Sequence, residues 1–331
     1  MKYKTATGVI SVVLLCTPLL TWGAPQGSNS PRLIGNKVGL QAPLVRLADN
    51  YEFHTIDVGL YPIMYGINNA RLAVGDYLDG EWGNANSYGF LWWNDRQQSL
   101  SYQGSPIIDM EKINNRGLVS GGVGDASRVH AAVYLLATGA WTLFPDVDAG
   151  LSPDGHDKPI NFCMKANDAG ISVGQACEGN YWSQENCVSW VYNGKSYSFL
   201  SVPGTPAQYT GPIAINDRGQ IVGQYVDANG HVHSYFQQEA RILNLDYPGA
   251  SDTFVNDINN LGEVIVDAMF PAGSNQNYIW RKGIYTPIPN PPGSVTTYSH
   301  SLNDRGDYSG TSVDGNGVYH GFVALRKATG E

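Results

Sequence analysis

The sequence predicts an all-β chain built from repeated sheets, on three observations. A short turn-forming phrase recurs six times, each copy separates runs of alternating apolar residues, and charged residues make up only 15% of the chain. Gly (39), Tyr (20) and Trp (8) are abundant among the 331 residues, a composition of turns and aromatic-faced strands rather than of helices. With 42% hydrophobic residues the chain can bury a sizeable core and is not a disordered polymer. A net charge of −9 makes nucleic acid a poor partner.

The first element is a leader. Residues 1–24 open on Lys2 and Lys4, continue through an apolar run over 8–20 and finish near Gly23 and Ala24, the layout of a secretory signal. Export is therefore expected, to the extracellular medium, the periplasm or the cell surface. Trp22 and Pro25 fit a cleavage site poorly, so the position of the cut stays open. The run is short for a bilayer span and no later run is longer, so no integral membrane body is expected. Residues 25–51 read as a linker, 52–326 as the folded body and 327–331 as a tail.

Without the leader three cysteines are left, Cys163, Cys177 and Cys187, enough for one disulfide and one spare thiol. Cys177 and Cys187 are expected to pair, because they bracket a loop between two strand-like runs whose antiparallel pairing would bring them together. Three scattered cysteines with no nearby His do not form a zinc pattern, and no metal site is assigned. Nothing in the sequence names a cofactor.

The repeated phrase carries the architecture. It reads Ile67-Asn68-Asn69-Ala70-Arg71, Ile113-Asn114-Asn115-Arg116-Gly117, Ala166-Asn167-Asp168-Ala169-Gly170, Ile215-Asn216-Asp217-Arg218-Gly219, Ile258-Asn259-Asn260-Leu261-Gly262 and Leu302-Asn303-Asp304-Arg305-Gly306. The Asn and Asp side chains cap the backbone just ahead and the Gly takes a left-handed conformation, which makes each phrase a tight turn between two strands. Arg71 replaces that Gly in the first copy, so strain is expected there. A calcium-binding reading of the Asn-Asp pairs lacks the dense run of oxygen ligands it needs. The copies are 46, 53, 49, 43 and 44 residues apart, close to the length of one four-stranded propeller blade.

Each phrase is followed by a second, third and fourth strand, as over residues 220–226, 231–236 and 241–246. The last copy stops after its third strand, over 318–325. Residues 53–59 resemble the fourth-strand phrase that follows Ile242 and are expected to supply the missing strand. Their pairing would close a six-bladed β-propeller and hide two bare sheet edges, where an open solenoid would leave its ends uncapped.

Equivalent points of the third strands carry His130-Ala131-Ala132, His233-Ser234-Tyr235-Phe236 and His320-Gly321-Phe322, with Tyr88-Gly89-Phe90 as a variant. Together with the Ile-Asn-Asp-x-Gly phrase, this resembles the HAF-repeat family of probable extracellular repeat proteins over about residues 52–326. The third and fifth copies lack the His signature. The resemblance implies export and a propeller-like fold and names no reaction. The three His are read as blade residues bonding a neighbouring backbone rather than as a metal site.

Two places offer chemistry. Residues 146–158 hold Asp146, Asp148, Asp154, His156 and Asp157, and within an enzyme His156 with Asp154 or Asp157 would supply acid and base. Trp82, Tyr181 and Trp182 stand on corresponding extended loops and would offer flat apolar faces with polar rims, the chemistry sugar rings require. No Gly-x-Ser-x-Gly elbow, His-Glu-x-x-His or phosphate-gripping loop is present. The expected function is that of a secreted recognition scaffold whose partner is an extracellular glycan or glycoconjugate. The alternatives are a lyase or glycan-cleaving hydrolase with its Asp/His site at the channel mouth, and a structural or adhesive surface protein.

Overall fold

The computed structural model describes residues 49–81, 85–202, 210–271 and 273–328. The proposed signal segment, the linker up to residue 48, Trp82 and the last three residues lie outside it. The described residues form 24 strands and no helix. Consequently no helix among the described residues is long and apolar enough to cross a membrane.

Strand β1 (Tyr51–Ile56) precedes the first repeat, β2 (Leu60–Ile67), β3 (Ala73–Leu78), β4 (Ser87–Trp93) and β5 (Arg96–Ser99). The second repeat is β6 (Ile107–Ile113), β7 (Leu118–Asp125), β8 (Arg128–Leu135) and β9 (Ala140–Leu143). The third is β10 (Ile160–Ala166), β11 (Ser172–Asn180), β12 (Ser183–Tyr192) and β13 (Tyr197–Leu200). The fourth comprises β14 (Thr210–Ile215), β15 (Ile221–Val226), β16 (Val232–Gln238) and β17 (Arg241–Asn244). The fifth is β18 (Asp252–Ile258), β19 (Val264–Met269), β20 (Asn275–Arg281) and β21 (Ile284–Pro287). The sixth has only β22 (Ser294–Leu302), β23 (Tyr308–Asp314) and β24 (Tyr319–Arg326).

Within a repeat the strands pair antiparallel in chain order. The first three repeats are joined by single parallel pairs, Ser87 with Ile107 and Val129 with Ile160, into one 12-stranded sheet, and the others form four-stranded sheets. The fourth member of the last sheet is β1, which lies antiparallel to β24 with Thr55 opposite Phe322 and Ile56 opposite Gly321. The expected pairing of the two chain ends is present. It removes the bare edge that β24 would otherwise show to a second chain.

The phrases explain why neighbouring repeats pack in a fixed relation. In each, the first Asn turns the backbone upon itself: Asn114 Oδ1 accepts from the N–H groups of Arg116 and Leu118. Its Nδ2 is then free to donate to the next phrase. Asn68 donates to the carbonyl of Asn114, Asn114 to that of Asn167, and Asn167 to that of Asn216. Asn216 donates likewise to Asn259, Asn259 to Asn303, and Asn303 to Asn68, where the series began. A second series runs beside it, in which the backbone N–H of each following residue donates to the carboxyl or amide oxygen one phrase on, from Asn69 through Asn115, Asp168, Asp217, Asn260 and Asp304 to Asn69. These Asn and Asp side chains are thus occupied by the backbone, as a structural reading of the phrase requires.

Arg71 has φ 62°, the strain expected where the other phrases carry Gly. Its guanidinium spans the carboxylate of Asp307 at 3.1 Å and the carbonyl of Arg326 at 2.9 Å, a bidentate contact that offsets the cost. Side chains between adjacent sheets form the core, including Trp190, Tyr235, Tyr308, Phe90 and Phe322, each nearly inaccessible to solvent.

Candidate functional site

The phrase turns join strands 1 and 2 of every repeat at one end of the sheets. The hairpins between strands 2 and 3, and the starts of the inner strands β2, β6, β10, β14, β18 and β22, therefore gather at the opposite end. Of the sequence-predicted aromatic residues, Tyr181 and Trp182 fall there.

Tyr181 and Trp182 form the tip of the β11–β12 hairpin, with Asn180 capping the N–H groups of Trp182 and Ser183. A disulfide joins Cys177 to Cys187 below the tip, as expected. Tyr181 does not offer an open face. Its hydroxyl donates to Asp109 Oδ2 at 3.3 Å, its N–H to the carbonyl of Ala126, and its ring lies 5.9 Å from Phe162. Trp182 packs edge-on against Tyr181 at 4.7 Å. Cys163 is the free thiol; it is buried, and burial pushes its pKa up to about 12, which leaves it inert.

The loop over residues 146–158 is tied to the base of this hairpin by Lys158. That ammonium, inaccessible to solvent, lies 2.6 Å from Asp154, 3.1 Å from Glu178 and 2.8 Å from the carbonyl of Asn186. Hydrogen bonds from Lys158, Ser152 and the His156 N–H outweigh partial desolvation and lower the Asp154 pKa to about 2. Asp157 accepts from the N–H of Ala149, and the His156 side chain is 66% exposed, 3.7 Å from Glu178. The three residues named for acid–base work thus lie on one loop, each engaged with a different partner.

The strand-three His differ from expectation. Each bonds a carboxylate of its own sheet rather than a neighbouring backbone. His130 pairs with Asp146 at 2.8 Å, His233 with Asp246 at 2.7 Å and His320 with Asp57 at 2.6 Å. The reason is positional: the Asp follows the fourth strand, which runs antiparallel beside the third and brings the two side chains level.

A group that sequence reasoning missed lies next to Tyr181. Asp76 on β3, Asp109 and Glu111 on β6, and Tyr65 on β2 are all nearly inaccessible. Ser87 Oγ donates to Asp76 at 2.8 Å. Burial, and then the Asp109 charge, hold Asp76 well above the usual carboxylate range. Burial raises Asp109 to about 6 and, with the Asp109 charge, Glu111 to about 8. Lys112 directs its ammonium to the carbonyls of Tyr65 and His300, both at 2.8 Å. Burial and Lys112 lower His300 to about 3 and keep it neutral. The signal available in the sequence was the placing of Asp76, Asp109 and Glu111 inside otherwise apolar strand runs.

A second surface at this end joins the first and last repeats. Tyr61 and Tyr319 meet edge-on at 5.2 Å, each next in the chain to an exposed aliphatic residue, Leu60 (50% exposed) and Val318 (50%), and Val295 (68%) is exposed at the start of β22 in the last repeat. Tyr61 has φ 52° beside a register shift in β2, so the chain bends sharply here to present the side chain. The His320–Asp57 pair borders it.

No protein-family model matches the sequence, and no curated protein matches it. Solved structures do match. A gluconolactonase from Xanthomonas campestris is similar with a TM-score of 0.52 and 9% identity over 91% of this chain and 99% of that one. A lectin from Aleuria aurantia, solved with Fucα1-6GlcNAc, has a TM-score of 0.47 and 10% identity over 86% and 97%. TolB from Acinetobacter baumannii has a TM-score of 0.45 and 11% identity over 82% of this chain and 66% of that one. All three are β-propellers. The fold is that of a β-propeller. At such identities the likeness concerns fold alone, so the chemistry of this propeller is argued from its own side chains. Those side chains include an aromatic pair with exposed aliphatic residues at the end opposite the phrases and a set of buried carboxyls within β3 and β6.

Proposed function

We propose that the chain is an exported propeller of the HAF-repeat kind, with six blades closed by β1, and that it acts as a recognition scaffold for an extracellular glycan or glycoconjugate. Closure is supported by the two series of phrase-to-phrase hydrogen bonds, each of which returns to its start after six members, and by the pairing of Thr55 with Phe322. The Cys177–Cys187 disulfide is in keeping with an oxidising compartment.

The observation that carries the binding reading is the Tyr61–Tyr319 pair with exposed Leu60 and Val318 beside it in the chain and the His320–Asp57 pair next along β24. Apolar faces of this kind pack the C–H faces of a sugar ring while neighbouring polar groups take its hydroxyls. Trp182, at the tip of the β11–β12 hairpin, is a second aromatic candidate at the same end of the strands. An enzyme using His156, Asp154 and Asp157 is less supported, since Asp154 is held ionised by Lys158 and cannot donate a proton near neutrality.

A glycan array tests the reading. Tyr319→Ala and Trp182→Ala should each weaken capture by about 1 kcal/mol or more, with melting unchanged. His156→Ala should leave capture intact. Equal capture by all variants would remove the reading, and turnover of a glycan panel lost only in His156→Ala would favour the enzyme.

A further inference from the structure

The two rings of the Tyr61–Tyr319 pair come from opposite ends of the folded chain, and one imidazole joins the segments that carry them. Tyr61 follows Asp57 where the chain passes from β1 into β2, and Tyr319 follows Asp314 across the β23–β24 hairpin. His320, the next residue after Tyr319, has Nδ1 2.6 Å from Asp57 Oδ1 and Nε2 3.9 Å from Asp314 Oδ2. Asp314 is itself fixed to the hairpin, because its Oδ1 accepts from the N–H groups of Asn316 and Val318 just before Tyr319.

The arrangement is a repeated unit. In the fourth repeat His233 has Nδ1 2.7 Å from Asp246 Oδ2 and Nε2 3.4 Å from Asp227 Oδ2. Asp227 caps its hairpin through the N–H groups of Asn229 and His231, as Asp314 does through its own. The last repeat differs in where its unit stands. Asp57 belongs to the exit of the strand taken from the start of the chain, so His320 spans the junction of the first and last repeats, where the two tyrosines meet.

A neutral imidazole carries one N–H and an imidazolium carries two. Only the imidazolium can direct a donor and a positive charge at both carboxylates together; the neutral ring serves one and leaves the other unanswered. Histidine as a residue type changes charge between about pH 5 and pH 8. The groups facing His320 are Asp57 from the β1 exit, Asp314 from the hairpin and the adjacent Tyr319 phenol, while β23 places the uncharged Ser312 opposite. The Val318 N–H, with that of Asn316, holds Asp314 below the usual carboxylate range. Burial, and then Tyr61, raises Tyr319. Both therefore keep their charge state over the interval in which an imidazole changes its own.

We propose that His320 is a positioning residue for the Tyr61–Tyr319 surface: its protonated ring draws the β1–β2 connection and the β23–β24 hairpin together and sets the two tyrosines for capture, so that the surface binds more tightly in mild acid than in mild alkali. This rests on the glycan reading above and specifies how that site is regulated. The ring takes one proton from solvent and returns it as pH rises. Because the protonated ring favours the binding-competent arrangement, capture and proton uptake are linked.

The glycan array, read at about pH 5.5 and about pH 8 and well below the melting temperature, tests the proposal on the whole protein. The parent should capture its strongest array glycans about threefold more tightly in acid, the scale of one exposed ion pair. His320→Gln, whose amide donates without titrating, should show the weaker capture at both pH values, and Asp57→Asn should do the same. If His320→Gln fails to fold, Asp57→Asn decides, since the Asp57 side chain is 66% exposed. His233→Gln breaks the equivalent unit in the fourth repeat, which adjoins neither the first repeat nor the last, and should keep the parent's pH profile. Without any glycan, amide hydrogen exchange corrected for its intrinsic pH dependence should show residues 57–61 and 314–319 better protected in acid in the parent and equally protected at both pH values in His320→Gln. Parent capture that does not change with pH, a profile that His320→Gln and Asp57→Asn preserve or that His233→Gln also abolishes, or exchange in these segments that ignores pH overturns the positioning role and leaves the glycan reading standing. Capture of no glycan at either pH overturns both.

Discussion

The side-chain amide of Asn303 donates to the backbone carbonyl of Asn68, 2.8 Å away and 235 residues earlier in the chain. The last phrase is thereby fastened to the first by the same bond that links every intervening pair. The shape of the molecule depends on one side-chain type repeated at one position, together with the β1–β24 pairing.

Replacing a member of this series should be costly because each Asn side chain makes at least three hydrogen bonds, all of them buried or partly buried. In Asn114→Ala the N–H groups of Arg116 and Leu118 and the carbonyl of Asn167 lose a partner together. Urea denaturation should show a loss of about 3 kcal/mol. A loss below about 1 kcal/mol would mean that water replaces the side chain and that the series does not hold the repeats together.

Removing the chain up to Ile56 should uncover the edge of β24. Thr55 and Ile56 would no longer face Phe322 and Gly321, and the bare N–H and C=O groups would recruit another chain. Size-exclusion chromatography should show dimers or larger species. A monomer with an unchanged melting temperature would show that β1 is dispensable.

Stability should fall between about pH 5 and pH 8. Asp109 and Glu111 have folded pKa values raised to about 6 and about 8 by burial, so the folded state holds protons that the unfolded chain releases near pH 4. Burial of these groups is tolerated in acid and becomes unfavourable as pH rises through the folded values. His233, raised first by its bond to Asp246, adds in the same direction, because its stabilising charge is lost as pH climbs past its folded value. Asp154, lowered to about 2, acts oppositely and only in stronger acid, where its tie to Lys158 is lost. Thermal melts should therefore peak near pH 5, and Glu111→Gln should flatten the alkaline side by an amount on the order of 2 kcal/mol. A profile identical to that of the parent would exclude Glu111 as its source.

Reduction should loosen the hairpin that carries Tyr181. The cysteines are 10 residues apart, and opening a loop of that size costs about 3 kcal/mol on the chain-entropy model. Dithiothreitol should lower the melting temperature and expose residues 178–186 to protease. Lys158→Met should also loosen it, by stranding Asp154 and Glu178 and freeing the Asn186 carbonyl. Resistance of both to cleavage would mean that the bonds of Tyr181 to Asp109 and Ala126 suffice to secure the tip.

Much of this architecture was legible because it repeats. The phrase turns, the strands that follow them and the borrowed strand before the first copy depend on local signals: Asn at a turn, Gly at positive φ, alternation of apolar residues. The strain at Arg71 was legible for the same reason, as a departure from a pattern. The site was less so. Tyr181 could be placed on a hairpin tip but not seen to reach Asp109, 72 residues earlier, since a contact between repeats leaves no periodic mark. Asp154 and His156 looked available because sequence shows the charges of a loop without showing Lys158 beneath them. The Asp76, Asp109 and Glu111 set required the packing of β3 against β6 to become one group.

All six inner strands slip register by one residue, between Met64 and Gly66, Met110 and Lys112, Cys163 and Lys165, Pro212 and Ala214, Val255 and Asp257, and Ser299 and Ser301. The residue inside each slip is different: Tyr65, Glu111, Met164, Ile213, Asn256 and His300. Neighbouring ones meet, as the rings of Tyr65 and His300 do at 5.2 Å. Because the ladder has already been broken there, the side chain at that point owes nothing to strand pairing. The same one-residue slip thus recurs in every repeat while the residue it carries changes from aromatic to acidic to aliphatic, so the scaffold sets the position of that side chain without setting its chemistry.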